Sequence, residues 1–209
     1  ADRNGRGENG AAVIFVTGDQ PVIAENAIQH NLAAAISMGV NDLNYQFVQD
    51  AGRQTAEANP IDGRVGNQGP LVQGNVIADN ALNAMLVRGG TLTTEGVWDD
   101  TDIVHVVGNS IHVPDFHTYG GLRLESSPRE SLVVKLVDLD PDNPAGFTAE
   151  GKPLDIDDRI GGSMNIVGQP HYPVVLTSIA DDTVGAGYTP NGQLQTDTAN
   201  DSADIGGGG

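Results

Sequence analysis

The sequence predicts an all-β fold in which short strands stack as the turns of a solenoid. One observation is a phrase in which an apolar residue and a tight piece of backbone precede a side-chain amide. It recurs at residues 23–26, 72–75, 106–109 and 166–169. Repetition of one unit at intervals of tens of residues is typical of architectures in which each unit is stabilised by its neighbours.

Composition and spacing support the same fold class. The chain has 28 glycines and 11 prolines but only 4% aromatic residues, which favours many turns and short strands over a helical bundle. The amides stand at positions 26, 75, 109 and 169, and are therefore 49, 34 and 60 residues apart. Such unequal intervals indicate a solenoid that ejects loops of different length.

The asparagines have a predicted structural role. Asn26-Ala27-Ile28-x-x-Asn31 is matched by Asn75-Val76-Ile77-x-x-Asn80. Stacked asparagines at equivalent corners hydrogen-bond to one another and to turn backbone, and asparagine tolerates the left-handed conformation of turns. We therefore expect Asn26, Asn75 and Asn109 to line one common edge.

Apolar runs rich in β-branched residues locate the clearest strands, and the polar stretches between them predict loops. The predicted strands lie at 13–16, 71–72, 103–107, 132–136 and 174–176. The predicted loops lie at 41–69, 88–102, 137–161 and 180–205.

A helical alternative exists for residues 24–38 and 76–88. Apolar residues of each segment can be placed on one helical face, with Gly39 and Gly89 as caps. Against this alternative, each segment carries two asparagines at matching positions, where asparagine is a poor helix former.

The segment Pro21-Val22-Ile23-Ala24-Glu25-Asn26-Ala27-Ile28-Gln29-His30-Asn31 resembles the coils of right-handed parallel β-helix proteins of the pectin-lyase-like superfamily. It is similar in particular to repeat regions of large secreted bacterial surface proteins. The resemblance implies a right-handed parallel β-helix with long loops ejected from the coils. It covers residues 11–125 well, whereas 126–205 is looser and loop-rich. We expect a single β-helix domain over 1–205, followed by a glycine tail at 206–209.

Charge limits the range of partners. The chain has 10 basic and 28 acidic residues, a formal net charge of −18, so nucleic acids and anionic membranes are disfavoured. No apolar run approaches the ~20 residues that span a bilayer, so membrane insertion is not expected. There is no cysteine, and therefore no disulfide or thiolate metal site.

Acidic and basic side chains around the third repeat form the best enzyme candidate. They are Asp99, Asp100, His105 and Arg123. Polysaccharide hydrolases of the resembled superfamily use paired carboxylates, and its lyases use calcium-bound acidic groups with a basic proton acceptor. The hydrolases' Arg-x-Lys element is missing here. The competing interpretation is that the aspartates form a solvated turn and that His105, which alternates with valines, faces solvent.

Two further sites are suggested by residue type. Asp138, Asp140 and Asp142 carry carboxylates at every second position, as a calcium loop begins, although Asn143 stands where the EF-hand loop has glycine. Trp98 and Tyr119 offer flat faces for sugar stacking, or else pack beneath the loop at 88–102.

The hypothesis from the sequence is an extracellular or cell-surface structural or adhesive module, stabilised by calcium. Open strand edges at the ends of a solenoid need a cap or a neighbouring subunit. We therefore expect self-association into a fibre or stalk, with other extracellular matrix components and glycans as further partners. The alternative function is a polysaccharide lyase or glycoside hydrolase acting on a surface or matrix glycan.

Overall fold

The structure is a computed structural model that describes residues 11–43, 69–114, 121–137, 141–150 and 162–201. Every regular element in these ranges is a β-strand. The first eight are β1 (Ala12–Phe15), β2 (Val22–Ala24), β3 (Ala27–Gln29), β4 (Ala34–Gly39), β5 (Leu71–Gln73), β6 (Val76–Ala78), β7 (Leu82–Arg88) and β8 (Gly90–Thr91). The others are β9 (Glu95–Trp98), β10 (His105–Val107), β11 (Ser110–Val113), β12 (Gly121–Glu125), β13 (Leu132–Leu136), β14 (Gly146–Ala149), β15 (Ser163–Val167) and β16 (Val174–Ser178).

The all-β prediction is confirmed, and the helical alternative is wrong. Residues 24–38 and 76–88 contain strands β3, β4, β6 and β7. The predicted loops at 88–102 and 137–161 are also wrong in part, because they include β8, β9 and β14. These strands are short or bury only one face, so their sequences lack a continuous apolar run.

The described strands form five sheets in which every strand pairing is parallel. The largest sheet has six strands in the order β1-β4-β7-β10-β13-β16. After each of its strands the chain leaves this sheet, and each time it returns it adds the next strand beside the previous one. The first two excursions build the pairs β2-β5 and β3-β6. The later ones build the sheets β14-β11-β8 and β15-β12-β9. Parallel pairing requires such crossovers, because a tight hairpin reverses the strand direction.

One row of side chains across the largest sheet illustrates the main core. In register order it runs Ile14, Ile36, Met85, His105, Val134 and Leu176. The four middle members are fully buried. Each fully buried aliphatic side chain contributes about 1.5–3 kcal/mol relative to an exposed one, so stacked rows of this kind supply most of the stabilisation.

The opposite face of the same sheet is covered by the end of the described chain, residues 179–201, here called the C-terminal strap. Ala186 of the strap packs with Val104, Val106 and Val133 in a second apolar cluster. The Gln195 side chain donates from Nε2 to the Ile77 carbonyl oxygen at 2.8 Å. The middle strands of the largest sheet are therefore buried on both faces, as parallel sheets usually are.

Candidate functional site

Two asparagine ladders join the first and second turns of chain. The Oδ1 atom of Asn75 accepts hydrogen bonds from the backbone N–H of Asn26 at 3.0 Å and from its Nδ2 at 3.1 Å. The Nδ2 of Asn75 donates to the Ile23 carbonyl at 2.7 Å. Five residues on, Asn31 Nδ2 donates to Asn80 Oδ1 at 2.7 Å. The predicted match between these two repeats, 49 residues apart, is therefore seen in the strand register.

The left-handed conformation belongs to the residue before each asparagine. Its φ is 58° at Glu25, 67° at Gly74, 56° at His30 and 56° at Asp79. The left-handed residue makes a sharp bend in the chain. The asparagine that follows forms hydrogen bonds with the backbone groups that the bend leaves unpaired. The expectation that asparagine itself takes the left-handed conformation at these corners is wrong.

Asn109 does not belong to this edge, so the predicted three-membered row is wrong at its third member. Asn109 follows β10, whose Val106 and Val107 pair with Leu86 and Val87 in the largest sheet. The fourth copy of the phrase likewise falls in β15, in another sheet. Asn109 lies at the corner between β10 and β11, whereas Asn75 lies at the corner between β5 and β6. Before β10, the chain leaves β9 through a short turn.

That turn, residues 99–103, caps the free edge of β5 instead. Asp100 Oδ1 accepts a hydrogen bond from the Val72 N–H at 2.9 Å, and Asp102 Oδ2 accepts one from Gly74. Asp100 is buried, and burial raises the pKa of its carboxyl well above the usual range; the Val72 hydrogen bond opposes the rise, while Asp99 and Asp102 add to it. The alternative of a fully solvated turn is therefore wrong at Asp100.

His105 faces the core and not the solvent. Its ring stacks on Trp98 with a centroid distance of 5.2 Å and an interplanar angle of 13°. Neither ring nitrogen has a hydrogen-bond partner of normal geometry. Burial lowers the pKa of His105 to about 4, and the nearby Ile103 backbone offsets only part of this effect. The predicted exposed position is wrong, because the His105 side chain lies on the core face of the largest sheet, between Met85 and Val134 of the neighbouring strands.

The proposed sugar platform is also not available at Trp98. This indole is 1% exposed and packs edge-on against Phe147 at a centroid distance of 5.7 Å. The competing interpretation is therefore right that Trp98 is buried, but residues 88–102 contain strands β8 and β9 and are not a loop that covers it. Tyr119 lies outside the described residues.

The suggested catalytic residues are placed in different surroundings. Arg123 is on the outer face of β12 and forms an ion pair with Glu125, with Nε and Oε2 3.0 Å apart. Asp100 is bound to the backbone of β5, and His105 lies in the core. Asp99 is half-buried. The buried Asp100 and His105 therefore do not join the exposed Arg123 on one solvent-accessible surface.

The predicted calcium run is described only at Asp142, which is exposed in a turn; Asp138 and Asp140 lie outside the described residues. The structure gathers a different set of acids near the strap. Asp182, Asp197 and Asp201 each place one carboxylate oxygen within 4.8 Å of the others.

Lys135 lies beside these acids and is the functional residue that the sequence reasoning missed. Its side chain is fully buried on the strap face of β13. Nζ donates to the carbonyl oxygens of Asp181 at 2.6 Å and Thr196 at 3.1 Å. Burial lowers the pKa of Lys135, while the surrounding aspartates act in the opposite direction. The one available signal was a lone lysine within the apolar run Leu132-Val133-Val134-Lys135-Leu136.

Acid sensitivity follows from the burial of His105. The unfolded chain takes up a proton on this ring below a pH of about 6.5, whereas the folded protein resists until about 4. Stability linked to His105 is therefore complete above pH 6.5 and is lost as the pH falls toward 4. We expect about 2 kcal/mol of this loss between pH 7 and pH 5. This loss of stability should disappear in the His105→Phe variant. Urea unfolding at pH 7 and at pH 5 measures it.

His112→Phe is the matched control, because the His112 side chain is 43% exposed and solvent reaches it in the folded protein. This variant should keep the wild-type difference between pH 7 and pH 5. A His105→Phe protein that loses as much stability on acidification as the wild type would contradict the assignment.

The fold and the site together define an all-β protein of parallel sheets whose buried polar side chains bind main-chain groups. Comparison of the chain with protein-family models, curated proteins and solved structures finds no match. In the described ranges there is no helix of the length and apolar character that would cross a membrane.

Proposed function

We propose that the chain is a right-handed parallel β-helix and acts as an extracellular or cell-surface structural or adhesive module. The architecture is supported by the repeated return of the chain to one six-stranded parallel sheet. It is also supported by the asparagine ladders, because stacked amides at equal corners are expected where turns lie in register.

The structural role is supported by the way in which buried polar side chains bind the main chain. Asn75, Asn80, Asp100 and Lys135 are all buried, and each hydrogen-bonds to main-chain atoms of another segment. A catalytic group must instead present a proton or an electron pair to a substrate. Polar groups arranged in this way hold turns of backbone together, which is what a stalk or a display scaffold requires.

The adhesive role would be directed at neutral glycans or basic matrix proteins, because a net charge of −18 disfavours acidic partners. The test is a panel of immobilised acidic and neutral glycans, scored for retained protein and for released reducing ends or unsaturated products. Retention without products supports an adhesive module, and neither retention nor products supports an inert scaffold. Products whose formation is lost in Arg123→Gln would overturn the proposal in favour of the enzyme.

Calcium stabilisation belongs to the same proposal. Calcium at ten times its dissociation constant should add about 1.4 kcal/mol of stability and raise the unfolding midpoint by roughly 3–6 °C. The measurement is thermal unfolding followed by circular dichroism, with chelator and with magnesium as controls.

Two variants assign the calcium effect to a group of acids. Its loss in Asp142→Asn would place the ion at the run predicted from the sequence, and its loss in Asp197→Asn would place it beside the strap. A midpoint that does not respond to calcium in the wild type would contradict this part of the proposal.

A further inference from the structure

Three strands of the last turn of chain form one end of the described sheets. Strands β14, β15 and β16, here called the terminal rung, each lie at the outer position of their sheet. No strand in the described ranges pairs with the outer edges of these three strands. Another extended backbone could pair with their outward N–H and C=O groups along the whole length of each strand.

The apolar core is uncovered at the terminal rung. Leu124 and Val134 belong to the core, and the strand register places Ile166 and Leu176 next to them on the same face of their sheets. Leu124 and Val134 are fully buried, whereas Ile166 is 48% and Leu176 44% exposed. Phe147, the counterpart of a fully buried Ile111, is also only partly buried. The terminal rung therefore presents the cross-section of the core as an apolar floor.

The opposite end of the molecule differs. There the core side chains Val16, Ile23 and Ile28 are each 6% exposed and Ile14 is partly buried, so this end of the core is more nearly closed. The strands at that end, β1, β2 and β3, also belong to a different combination of sheets, and only the six-stranded sheet reaches both ends. In a head-to-tail contact, the open end of one copy would meet the more nearly closed end of the next copy, whose strands are arranged in different sheets.

Charge points to the same surface. None of the residues in β14, β15 and β16 is charged, although the chain as a whole carries −18. The preceding rung has Arg123, Glu125 and Lys135 in its strands. Edge strands of monomeric proteins are normally protected by charged side chains. Copies of so acidic a chain repel one another least where their facing strands carry no charge.

We propose that the terminal rung is the two-fold interface of a homodimer in which two copies meet end to end. The inference deepens the proposed structural module and rests on its stacked β-helix architecture. A two-fold axis through the middle of β16 sets β16 antiparallel to β16 of the second copy, and β14 of each copy beside β15 of the other. Both apolar floors are then covered at once, and the assembly closes as a dimer and does not grow into a fibre.

Disulfide cross-linking tests the geometry, because the chain has no cysteine of its own. Leu176 lies at the centre of β16, so Leu176→Cys should form covalent homodimers under mild oxidation. Val13→Cys, at a β1 residue that is 46% exposed, is the matched control at the closed end and should remain monomeric. Cross-links that form only when the two variants are mixed would show head-to-tail contact and overturn the proposal.

Sedimentation velocity over a range of concentrations gives the second test. The wild type should sediment as a dimer, and Ile166→Glu should weaken dimerisation by roughly 100-fold, because the contact would bury an unpaired charge. Val13→Glu should dimerise as the wild type does. A wild type that stays monomeric at every concentration overturns the interface but not the structural module. A predominantly helical circular dichroism spectrum would overturn both.

Discussion

Replacement of Asn80 by alanine should lower the free energy of unfolding by about 3 kcal/mol. The Asn80 side chain is fully buried. Its Nδ2 donates to the Ile28 carbonyl at 2.8 Å and to Asn83 Oδ1 at 3.2 Å, and its Oδ1 accepts from Asn31. Alanine leaves the Ile28 carbonyl buried without this donor, and water cannot readily replace it. Urea unfolding of the two proteins measures the difference.

Asn31→Ala is the matched control, since it removes the other member of the same ladder. Asn31 is only half-buried, so its truncation opens a space to solvent through which water can reach the Gln29 carbonyl and Asn80 Oδ1. We expect a loss of about 1 kcal/mol or less. If the two variants lose equal stability, burial of the ladder is not the source of the effect.

Replacement of Lys135 by methionine should release the C-terminal strap. Burial lowers the pKa of Lys135 despite four neighbouring aspartates, so the ammonium contributes mainly through the two hydrogen bonds that it donates. Methionine keeps most of the apolar stem but leaves the carbonyls of Asp181 and Thr196 without that donor. We expect the strap to lose about 3 kcal/mol of local stability, equal to roughly 150-fold faster amide exchange. Hydrogen exchange read by mass spectrometry over residues 179–201 measures it.

Arg123→Met controls for the loss of one positive charge from an acidic chain. Arg123 is exposed on the outer face of β12 and contacts no strap residue among its hydrogen bonds and ion pairs in the described part of the chain. Exchange in the strap should stay at the wild-type rate in this variant. Equal acceleration in both variants would mean that net charge, and not the buried tether, holds the strap.

The strands that were predicted correctly are mostly those of the six-stranded sheet. The runs at 132–136 and 174–176 coincide with β13 and β16, and 13–16 overlaps β1. Strand β13 is covered by the core on one face and by the strap on the other, so its sequence is apolar at every position except Lys135. Strands β8, β12 and β15 have one face in water, and no continuous run marked them.

The asparagine pattern shows where sequence comparison stops being sufficient. The first two copies agree over several positions and do stack, at the register that their 49-residue offset predicts. The third and fourth copies share only the short phrase, and they lie in other sheets. A four-residue phrase describes only a strand that ends at a polar corner, and such corners occur in more than one sheet of this protein.

The sequence by itself determined the all-β class and the parallel stacking of the first two repeats, and its charge predicts that acidic partners are disfavoured. These properties depend on composition, total charge and the chemistry of local turns, all of which can be read directly from the sequence. The tertiary structure decided the surroundings of His105, Asp100 and Lys135, and it alone showed that one end of the core is open. Burial of a side chain depends on segments that are distant in sequence, such as the strap 46 residues beyond Lys135. A local sequence pattern therefore cannot predict that such a distant segment covers Lys135.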